Sequence, residues 1–136
     1  MIKLVLDTNV LVSALIKREK PRELILRIAD GKAQLFLSKD ILEEFVEVAY
    51  DSKIMRYISS KDLVEFLKIL GNLAKIVKVR SKFKVISQDP SDDKVLSAAF
   101  NGKVDYIVSG DEHLLSLQEF GRIKLVSISE MLDLLT

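Results

Sequence analysis

"LVLDTNVLVSAL", residues 4–15, is the stretch on which the fold turns. A run of branched apolar residues, "IKLVL" at 2–6, stops at Asp7. Thr8 and Asn9 follow, and then apolar spacing resumes. The run reads as a short buried strand and the resumption as a helix. A carboxylate at that junction is costly if it is merely buried. It is useful if the strand end opens on a crevice.

Working outward, the pattern repeats. The first helix breaks near Lys17–Pro21 and resumes through "RELILRIADG", with Gly31 as its stop. "AQLFL" (33–37) is a second strand, and Ser38 is a good N-cap for a helix over "KDILEEFVEVAY". Ile41, Leu42, Phe45 and Ala49 give that helix one apolar face. A further amphipathic helix starts at Ser59 or Ser60. "KIVKV" (75–79) is an edge-like third strand, and "DPSDDKVLSAAFNG" is a turn and a helix ending at Gly102. "DYIVSG" (105–110) is a fourth strand, "GRIKLV" a fifth, and "SISEMLDLL" a closing helix. Strands alternating with helices predict an α/β fold, a parallel sheet covered on both faces. Its crevice lies beyond the carboxyl ends of the strands, where strand order reverses.

The totals narrow the class. The 136 residues suit one domain, and 49% apolar with 30% charged residues is a globular composition. No apolar run approaches a membrane span, and the N-terminus lacks a signal-peptide pattern. There is no cysteine, which fits a reducing cytoplasm and excludes disulfides and thiolate metal sites. The single histidine, His113, excludes a site needing several imidazoles. Net charge is +1, so any attraction to nucleic acid is local. The candidate patch is "KIVKVRSKFK" (75–84), in which Lys78, Arg80, Lys82 and Lys84 are candidate contacts to RNA phosphates. A second cluster is "KREKPR" at 17–22. A solvated surface is the plainer reading of both.

Asp7 follows the first strand and Asp111 the fourth. If those strands are adjacent and parallel, both carboxylates face one crevice. Asp92 and Asp93 open a helix, where acids suit the positive end of the dipole. Glu44 falls beside Ile41 and Val48 at the rim of its helix's apolar face, whereas Glu43 falls on the solvated side. Each acid has a bland reading as a turn former, cap or surface group. Together they would repel one another unless a cation held them. Oxygen ligands without imidazole or thiolate favour Mg²⁺ or Mn²⁺. Such an ion activates water and neutralises charge on the leaving oxygen of a phosphodiester.

At these residues the chain resembles the PIN-domain family, the PilT N-terminal-like nucleases that include the VapC toxins. "LVLDTNVLVSAL", "LSKDILEEF", "DPSDDKVLSAA" and "DYIVSGDEHLL" occur in the family's order and spacing, from Ile2 to about Val126. The nearest flavour is its VapC-like toxin branch. The resemblance implies one PIN-like domain over residues 1–136. It implies a three-layer α/β/α sandwich with a parallel five-stranded sheet in the order 3-2-1-4-5. It also implies divalent-metal-dependent cleavage of RNA, an antitoxin partner, and a homodimer or higher oligomer.

Residue by residue, Asp7 matches the family's first acid. Glu44 matches the glutamate six positions after the serine that follows strand two, here Ser38. Asp92 matches the third acid, which the family usually follows with Asn where Asp93 stands here. Asp111 matches the fourth. These four are the expected catalytic and metal-holding residues, with Thr8, Asn9, Asp93 and Ser109 as expected supports. His113 stands where relatives often carry an acid and reads as a solvated residue at a helix start.

Three rivals rank lower. An aspartyl-nucleophile phosphatase wants a second Asp two residues after the first, where this chain has Asn9. A dinucleotide-binding domain wants G-x-G-x-x-G after the first strand, which is absent. A non-catalytic RNA-binding or assembly module of the same family would be marked by loss of an acid, and none is lost.

Overall fold

The computed structural model describes residues 1–81 and 90–136. In chain order the elements are β1 (Ile2–Leu6), α1 (Thr8–Leu15), α2 (Glu19–Ala29), β2 (Ala33–Ser38), α3 (Lys39–Ala49), α4 (Ser52–Met55), α5 (Ser60–Leu73), β3 (Ala74–Val77), α6 (Pro90–Gly102), β4 (Tyr106–Val108), α7 (Glu112–Leu115), β5 (Glu119–Phe120), β6 (Ile123–Val126) and α8 (Ile128–Leu134).

The strands form one sheet in the order β3-β2-β1-β4-β6-β5. β1 is flanked by two parallel neighbours, with Leu4 opposite Leu35 of β2 and Tyr106 of β4. β2–β3 and β4–β6 are parallel as well. The chain therefore builds outward from β1 to β3, then returns to place β4 on the other side of β1. Strand order reverses between β1 and β4, and a crevice opens beyond their carboxyl ends. Leu4, Val5 and Leu6 point alternately to opposite faces of the sheet, yet all are fully buried. Both faces are thus covered, as a parallel sheet requires.

The expected parallel order is present, with β6 in the place of the expected fifth strand. The sheet differs in having six strands. β5 pairs antiparallel with β6, Glu119 opposite Lys124 and Phe120 opposite Ile123. Two residues are too few to show a period of two, and Gly121 at φ +63° makes the reversal. The break in the first helical region falls at the start of the expected Lys17–Pro21 stretch. Lys17 adopts φ +63°, α2 starts at Glu19, and Pro21 sits in its first turn, where a missing N–H is harmless.

Two helices position the crevice walls. α6 lies across β1, β2, β3 and β4, and α3 lies against β2, α1 and α6. Ile41, Phe45 and Ala49 form the buried stripe of α3, and the Phe45 ring packs at 5.7 Å from Phe66 of α5. Among the described residues, no helix is long and apolar enough to cross a membrane.

Candidate active site

Asp7 is the hinge between strand and helix. Its Oδ1 accepts the N–H of Val10 at 2.8 Å and so caps α1. Its own N–H donates to the carbonyl of Val108, which carries the β1–β4 pairing up to the carboxylate. Ser109, fully buried, donates its hydroxyl to Asp7 Oδ2. The same hydroxyl oxygen accepts the N–H of Asp111 at 2.9 Å. Asp111 in turn caps α7, accepting the N–H of His113 at 2.9 Å. One serine thus ties the two strand-end acids into a single unit.

The other two acids come from helices. Ser38 caps α3 by accepting the N–H of Ile41 at 3.2 Å, which orients the helix from its first turn. Glu44 lies three residues beyond Ile41 and four before Val48, at the rim of the buried stripe. Its side chain is 12% exposed, against 63% for Glu43. Glu44 Oε2 accepts from Thr8 Oγ1 at 2.6 Å, and Oε1 accepts from Ser91 Oγ at 2.5 Å. Lys94 Nζ stands 3.4 Å from the same Oε1. Asp92 is buried in the first turn of α6, at the positive end of the helix dipole.

Asp7, Glu44, Asp92 and Asp111 line one cleft of about 130 Å³ at the reversal point. Thr8, Asn9 and Ser91 complete its polar wall, and Val48 and Val95 its apolar part. That is well below the roughly 300–1,000 Å³ of small-molecule pockets. A hydrated ion and one phosphate group suit it better than an enclosed metabolite.

The electrostatics differ between the acids. Asp7 is only 6% exposed, and burial pushes its carboxyl above the ordinary value of 3.8. The bonds from Ser109 and Val10 oppose that shift, and the neighbouring Asp111 charge adds to it. Burial alone would also raise Glu44. The hydroxyls of Ser91 and Thr8 and the Lys94 ammonium outweigh it and hold Glu44 below 4.5. Among the described residues, no three acids are drawn together tightly enough to hold an ion as they stand. Glu44 turns to Thr8, Ser91 and Lys94, while Asp7 turns to Ser109.

Of the expected supports, Ser109 bonds Asp7, Thr8 bonds Glu44, and Asn9 lines the cleft. Asp93 does not line it. Of the basic segment, the described residues up to Ser81 do not line the cleft. Lys78 borders a different hollow, beside Ser38, Lys39 and Ile76. The N–H groups of Arg80 and Ser81 donate to Asn101 Oδ1 at 3.0 and 3.2 Å. Asn101 is nine residues along α6 from Asp92, about 14 Å of helix. Lys82 and Lys84 lie outside the described residues. The His113 side chain is exposed. Lys94 and Ser91 were not among the residues expected at the site. Their spacing of three on one helix was the available signal, because it puts both on one face.

Comparison with known proteins gives the family and the fold. A PIN domain family model matches residues 3–113. An uncharacterized protein of Methanocaldococcus jannaschii is 29% identical over 120 residues, covering 87% of this chain and 76% of the relative. The fold matches a chain in the crystal structure of VapBC2 from Rickettsia felis bound to a DNA fragment from their promoter. The TM-score is 0.63 at 15% identity, covering 93% of this chain and 98% of the other. The chain belongs to the PIN-domain family, whose members are generally nucleases that use divalent metal ions.

Proposed function

We propose that this protein is a divalent-metal-dependent endoribonuclease. The observation that carries the reading is that four acids, from β1, α3, α6 and the end of β4, line one small cleft at the reversal point of the sheet. The donor set fits a hard cation. All four side chains offer oxygen, and the buried Asp7 carboxyl lies close enough to feel the Asp111 charge. Asp7, Glu44, Asp92 and Asp111 would hold Mg²⁺ or Mn²⁺. The bound ion supplies an activated water and neutralises charge on the phosphodiester.

The chain's own groups do the rest. Ser109 fixes the rotamer of Asp7, and Thr8 and Ser91 fix Glu44. Ser91 and Asp92 of the first turn of α6 line the cleft, where the positive end of the helix dipole would favour a phosphate. Asn9 lines the cleft and can donate its amide to a phosphate oxygen. The substrate is RNA, approached along the protein surface because the cleft cannot enclose a nucleotide. The VapBC2 likeness supports a toxin role with an antitoxin as partner. Co-purification with the product of an adjacent reading frame tests that role.

The test of the enzyme is cleavage of a mixed single-stranded RNA pool in Mn²⁺ and in EDTA, with the new ends sequenced. Wild type should cut only with metal. Asp7→Asn and Asp111→Asn should not cut, with circular dichroism unchanged. If all three cut equally, the site is elsewhere. RNA binding without cleavage under any divalent metal would favour the non-catalytic module.

A further inference from the structure

Glu44 already has a cation. Lys94 Nζ stands 3.4 Å from Glu44 Oε1, with the lysine 35% and the glutamate 12% exposed on their side chains. Lys94 lies two residues beyond Asp92 and three beyond Ser91, on the first turns of α6. Ser91 and Lys94 converge on the same oxygen of Glu44, from the same helix. Thr8 holds the other oxygen. Glu44 is therefore directed toward α6 and α1, and among the described residues no three acids gather as they stand. An ammonium and a divalent ion cannot both take Oε1 at full strength.

We propose that Lys94 is a positioning residue that holds Glu44 apart from the other three acids, and that its ammonium competes with the divalent ion for that carboxylate. The inference rests on the metal site proposed above. It adds a control on that site. Lys94 keeps the acidic cleft partly neutralised without metal, and by the same contact it weakens metal binding. Two opposed effects follow from one ion pair, and a merely structural lysine would give only the first.

The experiment uses the full chain without RNA. Mn²⁺ binding is followed by loss of the free-ion electron paramagnetic resonance signal, and melting is followed in EDTA. Lys94→Met keeps the apolar stem and removes the charge. Lys94→Arg keeps the charge. Lys39→Met is the charge control, since Lys39 pairs with the exposed Glu43 at 3.7 Å. Lys94→Met should melt lower in EDTA and bind Mn²⁺ roughly fivefold more tightly, the scale of one lost ion pair. Lys94→Arg and Lys39→Met should bind like wild type. Equal or weaker Mn²⁺ binding by Lys94→Met overturns the inference and leaves the metal site standing. Equal tightening by Lys39→Met overturns it as well, because net charge then accounts for the gain. If neither wild type nor Lys94→Met binds Mn²⁺, both the inference and the metal site fall.

Discussion

Ser109 and Asp7, 102 positions apart in sequence, share a buried hydrogen bond in which the serine hydroxyl donates to Asp7 Oδ2. The same hydroxyl receives the amide of Asp111. Ser109→Ala removes both at once, leaving a buried carboxylate and a backbone N–H without this partner. At neutral pH the loss should be about 1–3 kcal/mol. It should shrink below pH 3.8, where the raised Asp7 carboxyl is protonated and needs less support. Urea denaturation at pH 7 and below pH 3.8 measures both values. An equal loss at both would detach the serine from the charge of Asp7.

Asp7→Asn should raise stability without metal at pH 7. The folded-state carboxyl lies above its ordinary 3.8, so its stability contribution is greatest below 3.8 and is lost as pH rises through the folded value. Asn removes that loss while still capping α1 at Val10. The gain should vanish below about pH 3.8. With metal the order reverses. Wild type at ~100 times its dissociation constant gains about 2.7 kcal/mol, and the variant gains far less. Melting in EDTA and in Mn²⁺ at two pH values tests all four corners.

Glu44→Gln should do the opposite without metal. Glu44 is held below 4.5, so it contributes stability above that value and loses it as pH falls through the lowered one. Removing its charge should lower the melting temperature in EDTA at pH 7. The difference from wild type should close in acid. A rise at pH 7 would mean that repulsion from the other acids outweighs Thr8, Ser91 and Lys94.

The contrast between these two acids marks what could be read from the chain. Asp7 and Asp111 were legible because each ends an apolar strand, and local pattern alone locates a strand end. Glu44 was legible from its place on a helical face. Which acid is paired with what was not, because those bonds span 36 to 102 positions and depend on how α1, α3, α6 and β4 meet. Strand β5 escaped for a different reason, being two residues long. The basic run was easy to see, but its anchoring to Asn101 is a tertiary fact.

Gly102 was read as a stop for the helix, and α6 does end there. The left-handed residue is Lys103, at φ +52°. Lys103 N–H donates to Phe100 O and Val104 N–H to Ala99 O, the paired bonds of a Schellman ending with Lys103 in the position glycine prefers. Gly102 is small for close approach. A Cβ there would stand 3.0 Å from Val77 Cγ2 and 3.6 Å from Phe36 Cδ1. Two substitutions should therefore have opposite signs. Gly102→Ala should cost about 1–3 kcal/mol by pushing α6 off β2 and β3. Lys103→Gly should add about 0.5–1 kcal/mol by relieving the left-handed conformation, less the entropy glycine adds to the unfolded chain. Chemical denaturation of both variants decides it. A stabilising Gly102→Ala would show that Val77 yields freely, and the helix would then owe its ending to Lys103 alone.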